Sequence, residues 1–412
     1  LQFVNGEWRF ATGEAELPES LAHVVAARLE RIGPHAKTLL RLGAVIGRSF
    51  TVDLVSASVE TPIDIAAAVN DCVRRGLLER SEQGEGVLQF SQAVVRDTIL
   101  KRLAPADRRR LHQLVGEALE RGCSAGSEHP LDALSRHFVG SEQPRKAMKY
   151  LRQAADRWVE KHAWDVAARQ YREAYSLLAR EAARLGPLSD VTSGHLLELA
   201  AAAAGAAGLD DPKGALAFLD EAMSAVPETR RGRARAEALR QRGLLELKLS
   251  RATDAVKDLR EALALLSAAD DVVQIVTVRT ELASALETAG QLGPATLELT
   301  QAMQLLSARG QSEPASLWPC LNQLGRVHLR LGKLVEAQAF FENALVAAQN
   351  CQSAAGQGRV LANQMVLAAQ RGDKALTERL YTQSLAHARE GGDRLGAIRV
   401  QYNHANWLRS SG

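Results

Sequence analysis

Residues 332–344 read GKLVEAQAFFENA, and the spacing inside this stretch decides the fold. Ala337, Phe341 and Ala344 stand at 0, +4 and +7, which puts a small, a large and a small apolar group on one helix face. The triplet returns as Ala255/Leu259/Ala262 and Ala295/Leu299/Ala302. Weaker copies are Ala167/Tyr171/Ala174, Ala215/Leu219/Ala222 and Thr377/Tyr381/Ser384. From 215 the first members fall at 215, 255, 295, 337 and 377, intervals of 40, 40, 42 and 40 residues. Five residues earlier stand Ser250, Gly290, Gly332 and Gly372, where a tight turn between helices favours Gly. Twelve earlier stand Gly243, Ala283, Gly325, Met365 and Ala405, where small residues let two helices approach closely. Such a helix pair cannot bury its apolar face alone, so it stacks on copies of itself.

The small–large–small pattern resembles tetratricopeptide (TPR) repeats. The interval exceeds the ~34 residues of the standard unit, so helices or turns must be longer. A polar ladder accompanies the triplets. Fourteen residues before each first member lie Gln241, Glu281, Gln323, Asn363 and Asn403. Seven residues on, on the same face, lie Lys248, Thr288, Arg330, Gln370 and Ser410. Stacked pairs turn their first helices to the concave surface, so the ladder reads as a solvent-facing stripe or as a peptide groove. Arg359 precedes Asn363 by four residues and Arg399 precedes Asn403 by four, so each pair shares a face. These Arg/Asn pairs resemble the carboxylate clamps of peptide-binding TPR domains. The resemblance implies a groove of Gln241, Glu281, Gln323, Arg330, Arg359, Asn363, Arg399 and Asn403 that takes an acidic or C-terminal peptide.

Towards the N-terminus the rhythm changes. Helical periodicity continues back to Pro105, over roughly 105–121, 131–138, 145–160 and 163–182. Before it, helices are expected over 35–46, 52–58 and 62–75, then a hairpin of Leu77–Arg80 and Val87–Phe90, then a helix over 92–103. Three helices and a two-stranded wing make a small winged-helix domain. At the start, Phe3-Val4, an Asn5-Gly6 turn and Trp8-Arg9-Phe10 read as a hairpin. Pro18 opens a helix with Leu21, Val25, Leu29 and Ile32 on one face, ended by Gly33-Pro34. The expected fold is therefore mainly α, a small winged-helix domain followed by an α-solenoid of TPR-like helix pairs. Its domains are 1–34, the end of an upstream domain; 35–104, the winged helix; 105–182, a helical connector with a first TPR-like pair; and 183–412, the repeats. The chain begins at Leu1 within strand sequence and stops at Gly412 within a helical pattern, so it reads as part of a longer protein.

Several stretches in order carry a second resemblance: Leu17–Leu21 (LPESL), Ala27–Ile32 (ARLERI), Leu42–Phe50 (LGAVIGRSF), Phe90–Gln92 (FSQ) and Arg109–His112 (RRLH). This run is similar to the segment after the nucleotide-binding core of the STAND signal-transduction ATPases, closest to bacterial proteins that join a kinase or cyclase to such an ATPase and a TPR tail. The resemblance implies that residues 1–34 end an ATPase lid and that the ATP-binding core lies upstream. It implies a regulatory arm. In the family a His two residues after the wing Phe helps sense nucleotide; here that position is Gln92, which donates a hydrogen bond but carries no charge. No G-x-x-x-x-G-K-[ST] loop occurs in the chain.

Composition narrows the function. Hydrophobic residues make up 46%, charged residues 24% and aromatics only 4%, a mixture suited to closely packed helices. A formal charge of +3 is too small for this length to imply a nucleic acid or membrane partner. The third helix of the expected winged helix is acidic and apolar until Arg74-Arg75, which disfavours DNA reading. The runs Lys101-Arg102, Arg108–Arg110 and Arg230–Arg235 read as solvated faces. Cys72, Cys123, Cys320 and Cys351 form no CxxC pair, and His112, His129, His137, His162 and His195 are scattered, so neither a metal site nor a disulfide framework is indicated. With no signal peptide or transmembrane run, a cytoplasmic location is expected. The reading is a non-enzymatic segment without cofactor, binding a protein or peptide partner. The alternative is part of a transcription activator with a TPR sensor region and a separate DNA-binding domain.

Overall fold

The structure is a computed structural model and describes residues 2–4, 7–9, 19–81, 84, 86–122, 130–185, 189–227, 232–266, 272–308 and 314–411. Asn5-Gly6, Phe10, Pro18, Cys123, His129 and Arg230-Arg231 lie outside the described residues. No helix of the described residues is long and apolar enough to cross a membrane. The chain divides into two compact units, Leu1–Ala154 and Ala155–Gly412.

In the first unit β1 (Gln2–Val4) pairs antiparallel with β2 (Glu7–Arg9), Phe3 opposite Trp8. Then follow α1 (Glu19–Glu30), α2 (Pro34–Ile46), β3 (Ser49–Thr51), α3 (Val52–Ser58), α4 (Ile65–Arg74), β4 (Leu78–Arg80), β5 (Val87–Phe90) and α5 (Ala93–Arg102). Capping sets the boundaries: Thr51 Oγ1 accepts from Leu54 N at 3.3 Å, and the Asp64 carboxylate accepts from Ala67 N at 2.9 Å. The Asp64 cap is why α4 starts at Ile65 rather than at Pro62. The sheet has three strands in the order β3-β5-β4, one more than the expected hairpin. β3 is three residues long, too short for an alternation to register. It is held there by Phe50, which is buried over Gly43, where a Cβ would lie 2.4 Å from the ring, and against Phe90 at 5.7 Å between centroids. α6 (Pro105–Gly122), α7 (Leu131–Gly140) and α8 (Pro144–Glu160) continue the chain. Val25 and Ile32 from the N-terminal helix region and Val115 of α6 enter the same core as Leu39, Leu78 and Phe90. α1 and α6 thus pack with α2, the three-stranded sheet and α5.

The second unit runs through α9 (Trp164–Leu185), α10 (Asp190–Ala207), α11 (Pro212–Ser224), α12 (Arg233–Lys248), α13 (Ala252–Leu265), α14 (Val272–Thr288), α15 (Leu292–Ala308), α16 (Pro314–Arg330), α17 (Leu334–Asn350), α18 (Ala354–Gln370), α19 (Lys374–Glu390) and α20 (Arg394–Ser411). The three strong triplets are fully buried. In the weakest, Thr377 and Ser384 are also fully buried, and each hydroxyl finds a carbonyl: Thr377 donates to Asp373 at 2.7 Å and Ser384 to Gly358 at 2.8 Å. Gly325 admits Phe341, whose ring would lie 2.4 Å from an added Cβ. At the Met365 position the close approach is moved to Gly358, where a Cβ would meet the backbone of Ala388 at 2.9 Å. Ala405 is exposed, as are Leu395, Ile398, Tyr402 and Leu408 of α20.

The long interval resides in the helices. From α14 to α19 each is 17 residues, about 25 Å at the usual rise. The turns are short and left-handed: φ is 78° at Gly290, 73° at Gly332 and 79° at Gly372, and Ser250 takes the same conformation at 62°. Gln352 (53°) and Gly392 (65°) do the same between pairs, so from Gly332 a left-handed residue recurs every 20 residues, half the sequence interval. The array curls until the turn at His162 meets the turn at Gly392, where a Cβ would lie 3.0 Å from His162 Nε2.

Candidate peptide-binding groove

The first helices of successive pairs, α14, α16, α18 and α20, pack directly on one another and line a groove of about 440 Å³. Seven of the eight ladder residues singled out from sequence line it: Glu281, Gln323, Arg330, Arg359, Asn363, Arg399 and Asn403. Gln241 does not. Its amide donates to Glu237 at 3.0 Å and sits against Gly205 of the preceding first helix. The groove also contains Glu287, Trp318, Asn322, Arg326 and Asp393, which sequence reasoning missed. Asn322 and Arg326 could have been found, because they stand four apart on one face of α16. Asp393 lies in a turn and carries no repeat signal.

Within the groove the ladder residues are bonded to different degrees. Glu287 is almost fully buried and accepts from Gln323 at 2.7 Å and from Arg326 at 3.0 Å. Arg330 donates to the Glu287 carbonyl, near the C-terminus of α14. Lys248 does the equivalent two pairs earlier, donating to the Gly208 carbonyl at 3.1 Å. A cation on the carbonyl end of the preceding first helix is favourable on dipole grounds. Gln323 is buried, so it ties α16 to α14 and is not a solvated rung.

Towards α20 the bonds thin out. Asn363 donates to Asn322 at 2.8 Å. Arg359 Nε donates to Asp393 at 2.7 Å, and the same carboxylate caps α20 by accepting from Gly396 N at 2.9 Å. Burial pushes the Asp393 pKa up, but the Arg359 and Gly396 hydrogen bonds outweigh it and hold the carboxyl below its usual range. Among the described residues the structure shows no hydrogen-bond partner for the Arg399 guanidinium or the Asn403 amide. Burial and the nearby charges of Arg359 and Arg326 press Arg399 downward from the usual arginine value, and the Asp393 carboxylate only partly offsets them. At the other end Glu281 accepts from Arg240 at 2.5 Å, and burial, only partly offset by Arg240, raises its carboxyl to about 7.

Other candidates behave otherwise. Gln92 is exposed at the N-cap of α5 in extended conformation, with no capping bond from its side chain. His112 and His137, read as unrelated, face each other across α6 and α7 with Nδ1 atoms 3.1 Å apart. Burial and flanking positive groups lower them to about 4 and about 3, so both are neutral. Burial pushes the Cys72 and Cys320 thiols up to about 12, which makes them unreactive. Arg102, Arg109 and Arg110 pair with Glu30, Glu142 and Glu60 on the surface. Arg235, expected in a solvated run, is buried instead, because it falls on the inner face of α12 beside Ala236 and Leu239.

No family model matches the chain, and no curated protein does. Solved structures similar to it include BtubC from P. vanneervenii, at 17% identity and a TM-score of 0.44 over 54% of this chain and 92% of that one. Another is a STAND protein with a tetratricopeptide repeat sensor from Pyrococcus horikoshii, at 13% identity and 0.42 over 97% and 66%. A third is aspartyl phosphate phosphatase F from Bacillus subtilis, at 12% and 0.45 over 74% and 75%. By its own geometry the chain is mainly α, and its second unit is an α-solenoid of TPR-like helix pairs.

Proposed function

We propose that this chain is the regulatory, protein-interaction arm of a cytoplasmic signal-transduction ATPase of the STAND class, and that the α14–α20 groove binds a partner through an extended acidic or C-terminal peptide. The observation that carries the binding half is the convergence of seven ladder residues, chosen by spacing, on one groove. The motif order over residues 17–112 supports the ATPase half, from which Gln92 in place of the sensor His is a departure. In that reading residues 35–104 form the winged helix that couples nucleotide state to the repeats, and the segment itself binds no nucleotide, cofactor or nucleic acid. Asn amides can bond a peptide backbone, while an Arg fork can take both oxygens of a carboxylate. The test is fluorescence anisotropy with acidic and free-carboxylate peptides. Arg359→Ala and Arg399→Ala should each weaken binding by roughly ten- to hundredfold, the loss of a charge-assisted bond, and added salt should weaken it too. If both variants bind like the parent, the ladder is a solvated face and the groove reading fails.

A further inference from the structure

In the first unit the run Arg108–Arg110 begins α6, and its three guanidiniums part ways. Arg110 pairs with Glu60 at 2.5 Å and Arg109 with Glu142 at 2.9 Å. Arg108 makes no side-chain hydrogen bond to a described residue and lines a cavity of about 390 Å³ between α6 and α7. One turn further along α6, His112 lines the same cavity. From α7 comes Arg136, which donates one N–H to the Ile46 carbonyl at 3.0 Å and has four more to give. Among the described residues the lining holds one carboxylate, Glu142, and Arg109 neutralises it. Two positive charges, those of Arg108 and Arg136, are therefore left without a counter-charge in the cavity. His112 is more than nine-tenths buried, and its Nδ1 turns inward to His137 Nδ1 at 3.1 Å. Nε2 is then the ring nitrogen that His112 can offer to the cavity. Burial first, and then the charges of Arg108 and Arg136, hold this ring neutral, so the fields of both guanidiniums converge on it.

We propose that this cavity is a phosphate-monoester site: a dianionic phosphoryl group sits between the guanidiniums of Arg108 and Arg136 and accepts a hydrogen bond from His112 Nε2–H, while its ester substituent lies against Pro105 and Val139. The charge of the ligand follows from the cavity. A dianion balances two uncompensated arginines, and the planar guanidinium fork matches phosphoryl oxygens. The ester follows from size, because 390 Å³ falls within the ~300–1,000 Å³ of small-molecule sites. The third contact follows from the histidine pair. Two neutral rings share one proton between their Nδ1 atoms. When His137 Nδ1–H is the donor, His112 holds its own proton on Nε2 and can donate it to a ligand. An oxyanion in the cavity selects that tautomer. The site lies wholly in the first unit and does not depend on the peptide groove.

Calorimetric titration of the whole chain with phenyl phosphate, inorganic phosphate and sulfate tests the assignment. Phenyl phosphate should saturate below ~1 mM, and the two inorganic anions should bind more weakly. Arg108→Ala and Arg136→Ala should each weaken phenyl phosphate by roughly ten- to hundredfold, the loss of a charge-assisted bond. Arg110→Ala, which loses only the Glu60 pair, should bind like the parent. Arg136→Ala also strips a donor from the Ile46 carbonyl, so the exposed Arg108 is the decisive position. In the chain labelled with 15N-histidine, saturation should shift the Nε2 resonance of His112 and leave His195 in place. Inorganic phosphate binding as tightly as phenyl phosphate overturns the ester and makes the free ion the occupant. A His112 resonance that stays still overturns the histidine contact. Arg108→Ala binding like the parent, or Arg110→Ala binding as weakly as Arg108→Ala, overturns the site itself. So does a titration with no saturation at ~10 mM of any of the three anions.

Discussion

The pair α12/α13 and the helices α18–α20 share one repeat and turn their polar side chains to different uses. In α12/α13 the charges face other protein groups. Arg242 forks onto the buried Asp258 and reaches Asp220 at 3.3 Å. Arg240 bridges Glu237 and Glu281. Glu246 is buried beside Asp258, and one of its oxygens has no partner. In α18–α20 the equivalent faces open into the groove, and Arg399 and Asn403 make no hydrogen bond to a described residue. A repeat determines where a polar residue sits on its helix. What that residue does depends on its neighbours, and these differ: Gln241 meets Gly205 and Glu237, whereas Asn403 lines the groove.

The sharpest way to break this contrast is to remove a charge from each region. Asp258→Ala leaves Arg242 with only the exposed Asp220 at 3.3 Å, so the loss should lie at the low end of the roughly 3–5 kcal/mol that breaking a buried pair costs. Urea denaturation should show that loss in the second unit. Replacing both partners by apolar residues should recover most of it, because the lone charge and not the missing bond is the larger penalty. Asp393→Ala in the other region should cost only about 1 kcal/mol, since Arg359 remains half-exposed to water. Similar losses at the two sites would erase the distinction between frame and groove.

A smaller effect is expected from pH. Burial first, and then the Asp258 charge, raise the Glu246 carboxyl to about 7. Its folded pKa lies above the unfolded value near 4.5, so the folded state holds the proton more tightly. The stabilisation is complete below that unfolded value and is lost as pH rises towards 7. Glu246→Gln should flatten this slope and stabilise the second unit by about 2 kcal/mol at pH 8. The first unit should respond with the opposite sign. The neutral His112–His137 contact has pKa values depressed from 6.5, so its contribution is present above pH 6.5 and is lost as pH falls towards 4. A denaturation series from pH 4 to 8 with separate probes in the two units checks both slopes.

Apolar spacing was legible because burial is a property of a helix face. The triplets, the left-handed turn positions and Gly325 under Phe341 all follow from it. Where the reading fell short, the deciding group lay far away in sequence. β3 exists because Phe50 needs Gly43 and Phe90. His112 meets His137 only after α6 and α7 pack. Gln323 looked like an open rung and is buried because Glu287, 36 residues earlier, draws it down. The ladder residues of the groove were legible as a set by position. Which of them are free was not, since that depends on Asn322, Arg326 and Asp393.

The smallest expected effect is the most telling one for the groove. Arg399→Ala removes a guanidinium that makes no hydrogen bond to a described residue and lies in the opposing fields of Arg359 and Arg326 on one side and Asp393 on the other. Nothing in the frame is left unpaired by the change, so stability should move by no more than about 0.5 kcal/mol, with relief of like-charge repulsion tending to raise it. Asn403→Ala should be equally silent. Gln323→Ala on the same ladder should cost about 1–3 kcal/mol, because it strips a donor from the buried Glu287 carboxylate. Thermal melts of the three variants separate the roles without any ligand. If Arg399→Ala melts as far below the parent as Gln323→Ala does, the arginine belongs to the frame. The α20 side of the groove would then offer a partner no separate cation.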